Sequence, residues 1–267
     1  MKNGQQYSVL NFNPSTRSTS IDLYDYKTQS KVVAVVDSKD LEAIPYFTNY
    51  TFSTDESKII LATEVESIYR RSTLGVFFVY DIASKQLQKV SDFKIQEPTF
   101  SPDASQVAYA FNNNLYLKDL ETKLEKQITF DGEKNKIING ITDWVYEEEF
   151  AFVRAYEWNA NGQKIAFLRF DETAVKEFSM DVYGQALYQT QQVFKYPKAG
   201  EQNAVVSLHV YNLNNGSTNE IMLEKFYNDF YIPRIKWTSE ASILSAQYIN
   251  RHQNELDLWA IDTASNT

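Results

Sequence analysis

Hydrophobic and polar positions along the chain repeat one pattern: an aromatic residue, a polar turn, and then a β-branched or aliphatic strand. The pattern occurs at residues 52–61, 100–109, 158–167 and, more loosely, 237–244. Its turns are rich in Ser, Asp, Asn and Gly, which favour turn conformations. Each copy therefore predicts a β-hairpin.

A second strand type follows each copy, with alternating hydrophobic residues and an acidic or amide residue at its end. These strands lie at residues 78–81, 115–119, 208–212 and 256–262. A similar strand at 21–25 has no aromatic-turn-strand pattern before it. We therefore expect each repeat to be a hairpin followed by another strand, and the first repeat to enter midway.

The spacing of the repeats favours a β-propeller. The aromatic residues at positions 52, 100, 158 and 237 are 48, 58 and 79 residues apart. Four-stranded blades typically take about 40 to 50 residues, so the longer intervals indicate insertions. We count four near-complete blades and a fragment. A β-sandwich is the alternative, but it would not explain the recurring pattern.

An incomplete propeller would leave apolar blade faces and strand edges uncovered. We therefore expect residues 1–267 to be part of a longer polypeptide and, alone, to self-associate. Two insertions, at 64–75 and 171–203, interrupt the repeats. Since loops on a rigid scaffold often carry function, these segments are candidates for a site.

Composition narrows the classes of function. The 267 residues are 43% hydrophobic and 15% aromatic, which is enough for a large core. A net charge of -9 without a Lys/Arg-rich stripe argues against nucleic acid and anionic membranes, and favours amine-bearing partners. No apolar run approaches the roughly 18 residues of a membrane span, and Met1 is not followed by a signal-peptide core.

Metal and cofactor chemistry finds little support in the sequence. There is no cysteine, which excludes disulfides, thiolate zinc sites and a cysteine nucleophile. The only histidines, His209 and His252, are few for a metal site or a catalytic triad, and His209 is expected to be structural. We therefore expect no metal and no cofactor.

Three adjacent carboxylates, Glu147, Glu148 and Glu149, stand between large hydrophobic residues within segment 141–150. Their mutual repulsion would be relieved by a cation. The alternative is a solvated acidic turn at the start of a short helix. Arg70 and Arg71, in the first insertion, are either solvated charges, partners of nearby acids or ligand-binding groups.

The segments 140–149, 158–162 and 196–200 resemble the N-terminal propeller of dipeptidyl peptidase IV, in the prolyl oligopeptidase family of serine peptidases. The phrase Asp-Trp-Val-Tyr-Glu-Glu-Glu at 143–149 is the most specific part. The resemblance extends from about residue 21 to residue 262. The absence of cysteine is more like bacterial members than animal ones.

The resemblance implies part of an eight-bladed propeller that caps an α/β-hydrolase domain of the same polypeptide. It implies that Glu148 and Glu149 bind the free amino terminus of a peptide substrate, and that Arg70 binds the carbonyl next to the scissile unit. Arg71 stands where the family often has histidine. Glu147 is expected to point elsewhere and to tolerate substitution.

The family's catalytic Ser, Asp and His cannot be assigned, because no Gly-x-Ser-x-Gly motif occurs. The resemblance thus predicts the substrate-gating propeller of an exopeptidase that releases Xaa-Pro or Xaa-Ala dipeptides, inactive as residues 1–267 alone. It also implies export to the periplasm and a homodimer, with 173–196 as the dimerising arm. Alternatives are a tripeptidyl peptidase propeller and a free-standing propeller that binds peptides or proteins.

Overall fold

The computed structural model describes residues 1–222 and 229–264. Within them the chain is all-β, with one six-residue α-helix and one 3-10 turn, Ser38–Asp40. The all-β prediction is therefore confirmed. No helix in these residues combines the length and hydrophobicity needed to cross a membrane.

Six sheets account for the described strands, and the members of each sheet are consecutive in sequence except in the fourth, where β15 and β16 lie between β14 and β17. The first two sheets are β1 to β3 (Gln6–Asn13, Ser18–Asp25, Lys31–Asp37) and β4 to β7 (Asn49–Phe52, Lys58–Ser67, Thr73–Asp81, Leu87–Lys89). The third is β8 to β11 (Gln96–Phe100, Gln106–Phe111, Asn114–Asp119, Glu125–Gln127). The fourth contains β12, β13, β14, β17 and β18 (Ile137–Asn139, Tyr156–Trp158, Lys164–Asp171, Val205–Asn212, Ser217–Glu220). The last two are β15 with β16 (Glu177–Val182, Thr190–Lys195) and β19 to β21 (Phe230–Trp237, Ile243–Asn250, Leu256–Asp262).

The described chain divides into two compact units. One comprises residues 1–68, 73–109 and 117–125, and the other comprises 69–72, 110–116 and 126–267. In the first, Ile21, Phe47 and Leu61 are buried in one apolar cluster that joins the first two sheets. In the second, the centre of the fourth sheet is fully buried, with Tyr156 and Phe167 among its largest side chains.

All four predicted hairpins are present, as β4–β5, β8–β9, β13–β14 and β19–β20. In the first three, the residue after the aromatic is buried, and its side chain accepts a hydrogen bond from the backbone N–H that begins the next strand: Ser53 from Lys58, Ser101 from Gln106, and Asn159 from Lys164. Hydroxyl and amide oxygens thus close the same turn.

The predicted second strands also form, within β6, β10, β17 and β21. Their terminal acidic or amide residues end the strand by accepting a backbone N–H two or three residues later, as Asp81 does from Ser84 at 2.8 Å and Asp119 from Thr122 at 2.7 Å. Such local bonds compete with strand continuation. The same geometry ends β2, where Asp25 accepts from Thr28 at 2.8 Å.

The two insertions differ from the expected loops. Residues 64–67 and 73–75 extend the β5–β6 hairpin, with a register shift between Thr63 and Glu66, so the predicted loop was wrong over these residues; residues 68–72, with Arg70 and Arg71, form a loop as expected. The segment 171–203 contains the antiparallel hairpin β15–β16. The strand at 21–25 lies in β2 and is preceded by β1, with which it pairs.

Candidate functional site

The acidic phrase lies in an excursion from the edge of the fourth sheet. Both β12 and β13 pair with β14, so residues 140–155 leave this edge and return to it. The base is closed by backbone bonds, because the N–H of Gly140 donates to Leu168 O and the N–H of Ala155 donates to Gly140 O, each at 2.9 Å. The excursion therefore starts and ends on a rigid strand.

Gly140 is required where the excursion begins. Its φ of +73° lies in the left-handed region, which residues with a Cβ adopt at a cost. A Cβ there would also lie 2.4 Å from Leu115 Cδ2 and 2.6 Å from its Cγ. Conformation and packing thus both select glycine.

The excursion carries the helix α1, Trp144–Glu149. Asp143 caps it, accepting the N–H of Tyr146 at 3.0 Å. Tyr146 is buried, its ring centroid is 4.8 Å from that of Phe170, and its hydroxyl oxygen accepts the N–H of Ile232 at 2.8 Å. Capping and this anchor hold the short helix in place, since so few residues would not form an isolated helix in water.

The three glutamates have three different environments. Glu147 is 1% exposed, and its Oε1 accepts the backbone N–H of Arg71 at 2.5 Å and of Ser72 at 2.9 Å. Glu148 is partly buried and pairs with Arg70, whose Nε lies 3.1 Å from Oε1 and 3.0 Å from Oε2. Glu149 is exposed, and no group among residues 1–222 and 229–264 bonds to its carboxylate.

The protein's own groups therefore relieve much of the predicted repulsion. A solvated acidic turn does not describe Glu147, which is buried, although the short helix of that alternative is present. The expectation that Glu147 tolerates substitution conflicts with its two backbone partners, because their N–H groups would lose their acceptor. Arg70 is a partner of a nearby acid, whereas Arg71 contributes its backbone N–H.

A cavity of about 670 Å³ adjoins the Arg70–Glu148 pair. Its walls include Trp144 of α1 and aromatic residues of the hairpin region, with Tyr196 centred 4.5 Å from Trp144. Phe178, Phe194, Met180, Lys198 and Ala199 complete the lining. Motif reasoning had singled out 196–200 but had missed Phe178 and Phe194, because aromatic residues on exposed strands carry no motif of their own.

Two further carboxyl groups near the site, Asp143 and Glu172, are buried, and sequence reasoning did not predict their burial. Burial raises the pKa of Asp143 to about 6. Burial, followed by the charge of Asp143, raises the pKa of Glu172 to about 7, while Lys195 opposes that rise. Tyr69 has its pKa raised to about 12 by burial and then by the charges of Glu172, Glu147 and Asp143.

His209 has the structural role that was expected. Its ring stacks on Phe167 with centroids 5.3 Å apart, and its Nε2 lies 2.8 Å from Ser207 Oγ. Burial lowers the pKa of His209, which favours the neutral ring.

Comparisons with known proteins converge on one family. The chain is 34% identical over 233 residues to the probable dipeptidyl-aminopeptidase B of Aspergillus niger, covering 80% of this chain and 26% of that protein. It is 28% identical to the human prolyl endopeptidase FAP, covering 88% of this chain and 32% of that protein. The crystal structure of Porphyromonas gingivalis dipeptidyl peptidase 4 superposes with a TM-score of 0.87 at 34% identity, covering 97% of this chain and 38% of that chain.

The chain thus spans less than two fifths of the length of each of these relatives. The family model for the dipeptidyl peptidase IV (DPP IV) N-terminal region matches residues 53–267, which include Arg70 and all three glutamates. The chain belongs to the dipeptidyl peptidase IV N-terminal region family.

Proposed function

We propose that this chain recognises the free amino terminus of a peptide and gates its access to a serine exopeptidase centre elsewhere in the same polypeptide. The observation that supports the proposal is that Glu148 forms an ion pair with Arg70, whereas the carboxylate of Glu149 has no bonded partner among the described residues. Glu148 lines the cavity beside Arg70, and Glu149 is exposed and unbonded within the described residues. A carboxylate in the cavity wall is thus followed directly, in α1, by a second carboxylate that is exposed.

The chemistry suits an ammonium group. An α-ammonium has three N–H donors and no acceptor, so carboxylates bind it through charge-assisted hydrogen bonds. An N-acylated terminus lacks both the charge and two of these donors. Carboxylates at Glu148 and Glu149 would therefore select free amino termini, which is the requirement of an exopeptidase.

Arg70 is suited to a neighbouring carbonyl. Within the part of the chain that the structure describes, only its Nε is bonded, to Glu148. The Nη donors of the guanidinium remain for an acceptor in the cavity. Arg70 would then bind the carbonyl oxygen of the peptide while Glu148 orients the guanidinium.

The architecture of the complete polypeptide and its reaction are proposed by analogy with the family. The sheets would be blades of an eight-bladed propeller that caps an α/β-hydrolase domain, and the peptidase would release Xaa-Pro or Xaa-Ala dipeptides. The greater length of the relatives and the names of the dipeptidyl peptidases among them support this. The region 173–196 would serve in a homodimer, and the protein would be exported.

The test uses the complete polypeptide and a Gly-Pro chromogenic amide with either a free or an N-acetylated amino terminus. We expect a strong preference for the free amine. Glu148→Gln and Glu149→Gln should each lower kcat/KM about 10- to 100-fold, because a charge-assisted bond contributes roughly 1.5 to 3 kcal/mol. Glu121→Gln, at an exposed carboxylate, is the matched control.

The preference for the free amine should largely disappear in the double variant. Near-parental kcat/KM in both single variants would refute the assignment of Glu148 and Glu149. Residues 1–267 alone should show no turnover. Turnover by the purified chain that a serine-directed inhibitor blocks would contradict a catalytic centre outside these residues.

A further inference from the structure

Glu147 is the most buried of the three glutamates, yet no ligand role falls to it. Its side chain is not part of the cavity lining and instead reaches the loop between β5 and β6, 75 and 76 residues away in sequence. The partners there are the consecutive N–H groups of Arg71 and Ser72. A buried carboxylate is costly to retain without a partner, so these two bonds explain how Glu147 remains in the interior.

The loop held by Glu147 is the loop that carries Arg70. Arg70 directly precedes the two residues that Glu147 binds, and Glu148 directly follows Glu147. Two adjacent helix residues thus hold adjacent parts of one loop. Glu147 binds the backbone N–H groups of Arg71 and Ser72, and Glu148 binds the guanidinium of Arg70. The loop is also closed internally, because the N–H of Tyr69 donates to Ser72 Oγ at 3.2 Å.

The two attachments differ in strength. The Arg70 side chain is 71% exposed, and an ion pair so accessible to water is weak and screened by salt. Glu147 is buried, its bond from Ser72 is buried and its bond from Arg71 is partly buried, and burial strengthens hydrogen bonds between a carboxylate and backbone N–H groups. The backbone position of Arg70 therefore depends on Glu147 more than on the Arg70–Glu148 pair.

We propose that Glu147 is a positioning residue that fixes the Arg70 loop against α1, and thereby sets the distance between the carbonyl-binding guanidinium and the amine-binding carboxylates. The inference rests on the proposed function for its catalytic consequence. The clamp itself is a property of residues 1–267 and can be tested without catalysis.

The first test measures amide hydrogen exchange at Arg71 and Ser72 in the complete polypeptide. Glu147→Leu removes the acceptor but retains a side chain that can be buried. The amides of Arg71 and Ser72 should then exchange about tenfold faster or more, as expected when a protecting hydrogen bond is lost. Glu148→Gln, which leaves Glu147 intact, should change their exchange little. Unchanged exchange in Glu147→Leu would overturn the clamp.

The second test measures KM and kcat in the complete polypeptide. Glu147→Leu should raise KM for a free-amine dipeptidyl substrate about tenfold, with a smaller change in kcat. In an Arg70→Met background, the same substitution should have little further effect, because it acts through Arg70. In a Glu149→Gln background its effect should persist. Equal effects in the presence and absence of Arg70 would refute the positioning role.

Conservative variants separate positioning from general stability. Glu147→Gln keeps an amide oxygen that can accept both N–H bonds, so it should restore most of the parental KM. Glu147→Asp keeps the charge but is one methylene shorter, so its KM should resemble that of Glu147→Leu. Should Glu147→Leu fail to fold, the contrast between Gln and Asp decides the question, and identical KM values for these two variants would contradict the proposal.

The outcomes also distinguish this inference from the proposed function. A parental enzyme without preference for a free amine would remove the proposed function but leave the exchange result standing. Altered exchange with an unchanged KM would retain the clamp and refute its role in substrate binding.

Discussion

The repeated turns and the α1 site are built by opposite means. In the turns, Ser101 and Asn159 accept an N–H from a residue five positions later. At the site, Glu147 and Glu148 bind groups 75 to 78 residues away. The turns are therefore encoded where they form, whereas the site exists only after distant segments meet.

The repeated turns and the α1 site also differ in how closely residue type determines the role of a side chain. Ser and Asn differ in type yet close the same turn, because the required group is one oxygen at one position. Glu147, Glu148 and Glu149 have three different environments, since successive residues on a helix are about 100° apart and face different surroundings. Residue type is thus a weaker guide at the site than in the turns.

The largest expected effect contrasts two glycines with almost equal backbone conformations. Gly140, at the base of the α1 excursion, has φ of +73°, and Gly216, in a hairpin turn, has φ of +70°. Gly140→Ala should lower the free energy of unfolding by about 2 to 5 kcal/mol, from left-handed strain and a clash with Leu115. Gly216→Ala, with no atom closer than 3.8 Å to the added Cβ, should lose only about 1 to 2 kcal/mol from strain.

Urea unfolding of both variants and the parent measures this difference. Equal losses for the two glycines would mean that packing against Leu115 does not constrain the excursion.

The second prediction concerns the buried carboxyl of Glu172, whose pKa is raised from 4.5 to about 7. Folding favours its protonated form, so its contribution to stability is full below pH 4.5 and is lost as the pH rises through 7. Glu172→Gln should therefore be more stable than the parent at pH 8, by about 1 to 3 kcal/mol, and close to it at pH 4.5. Thermal unfolding at both pH values is the measurement.

The control for this prediction is Glu177→Gln, which changes an exposed carboxylate. The difference in Tm between this variant and the parent should not depend on pH. If Glu172→Gln behaves in the same way, the carboxyl of Glu172 is not titrated by folding.

A smaller effect is expected at the repeated turn. Ser101→Ala should lower the free energy of unfolding by about 1 kcal/mol, because the partly buried N–H of Gln106 loses its acceptor. Ser101→Asn should lose less, since Asn159 makes the equivalent bond in the third copy. Chemical denaturation tests the pair, and a larger loss for Asn than for Ala would show that the turns do not share one local code.

The smallest effect on stability is expected at the Arg70–Glu148 ion pair. Arg70→Met should change the free energy of unfolding by no more than about 1 kcal/mol, because the Arg70 side chain of the pair is exposed to water. The main effect of Arg70→Met is instead expected on substrate binding. A loss of several kcal/mol would assign Arg70 to the scaffold and weaken its assignment as a ligand group.

Features formed by residues close in sequence could be predicted, whereas features that need distant segments could not. Hairpins were predicted because the aromatic residue, the turn and the strand lie within ten residues. The β15–β16 hairpin was not predicted: Phe178, Met180 and Val182 alternate with polar residues in β15, but the segment lacks the aromatic-turn-strand pattern on which the other hairpins were predicted. The extension of β5 and β6 was also missed, for the exposed residues 64–67 carry no burial pattern.

At the site, family resemblance predicted that Arg70, Glu148 and Glu149 bind the substrate, but it did not describe their contacts. The burial of Glu147 and Glu172 was not predictable from residue type, because a charged side chain is normally exposed. Only the assembled fold supplies the N–H groups and the apolar surroundings that make such burial possible.

The most direct test of amine recognition is a crystal structure of the complete polypeptide with an uncleavable dipeptidyl ligand that has a free amino terminus. The account predicts the ammonium nitrogen within about 3.2 Å of carboxylate oxygens of both Glu148 and Glu149. It also predicts a guanidinium N–H of Arg70 bonded to the adjacent carbonyl oxygen. An ammonium bound away from both glutamates, with the Arg70–Glu148 pair unchanged, would contradict it.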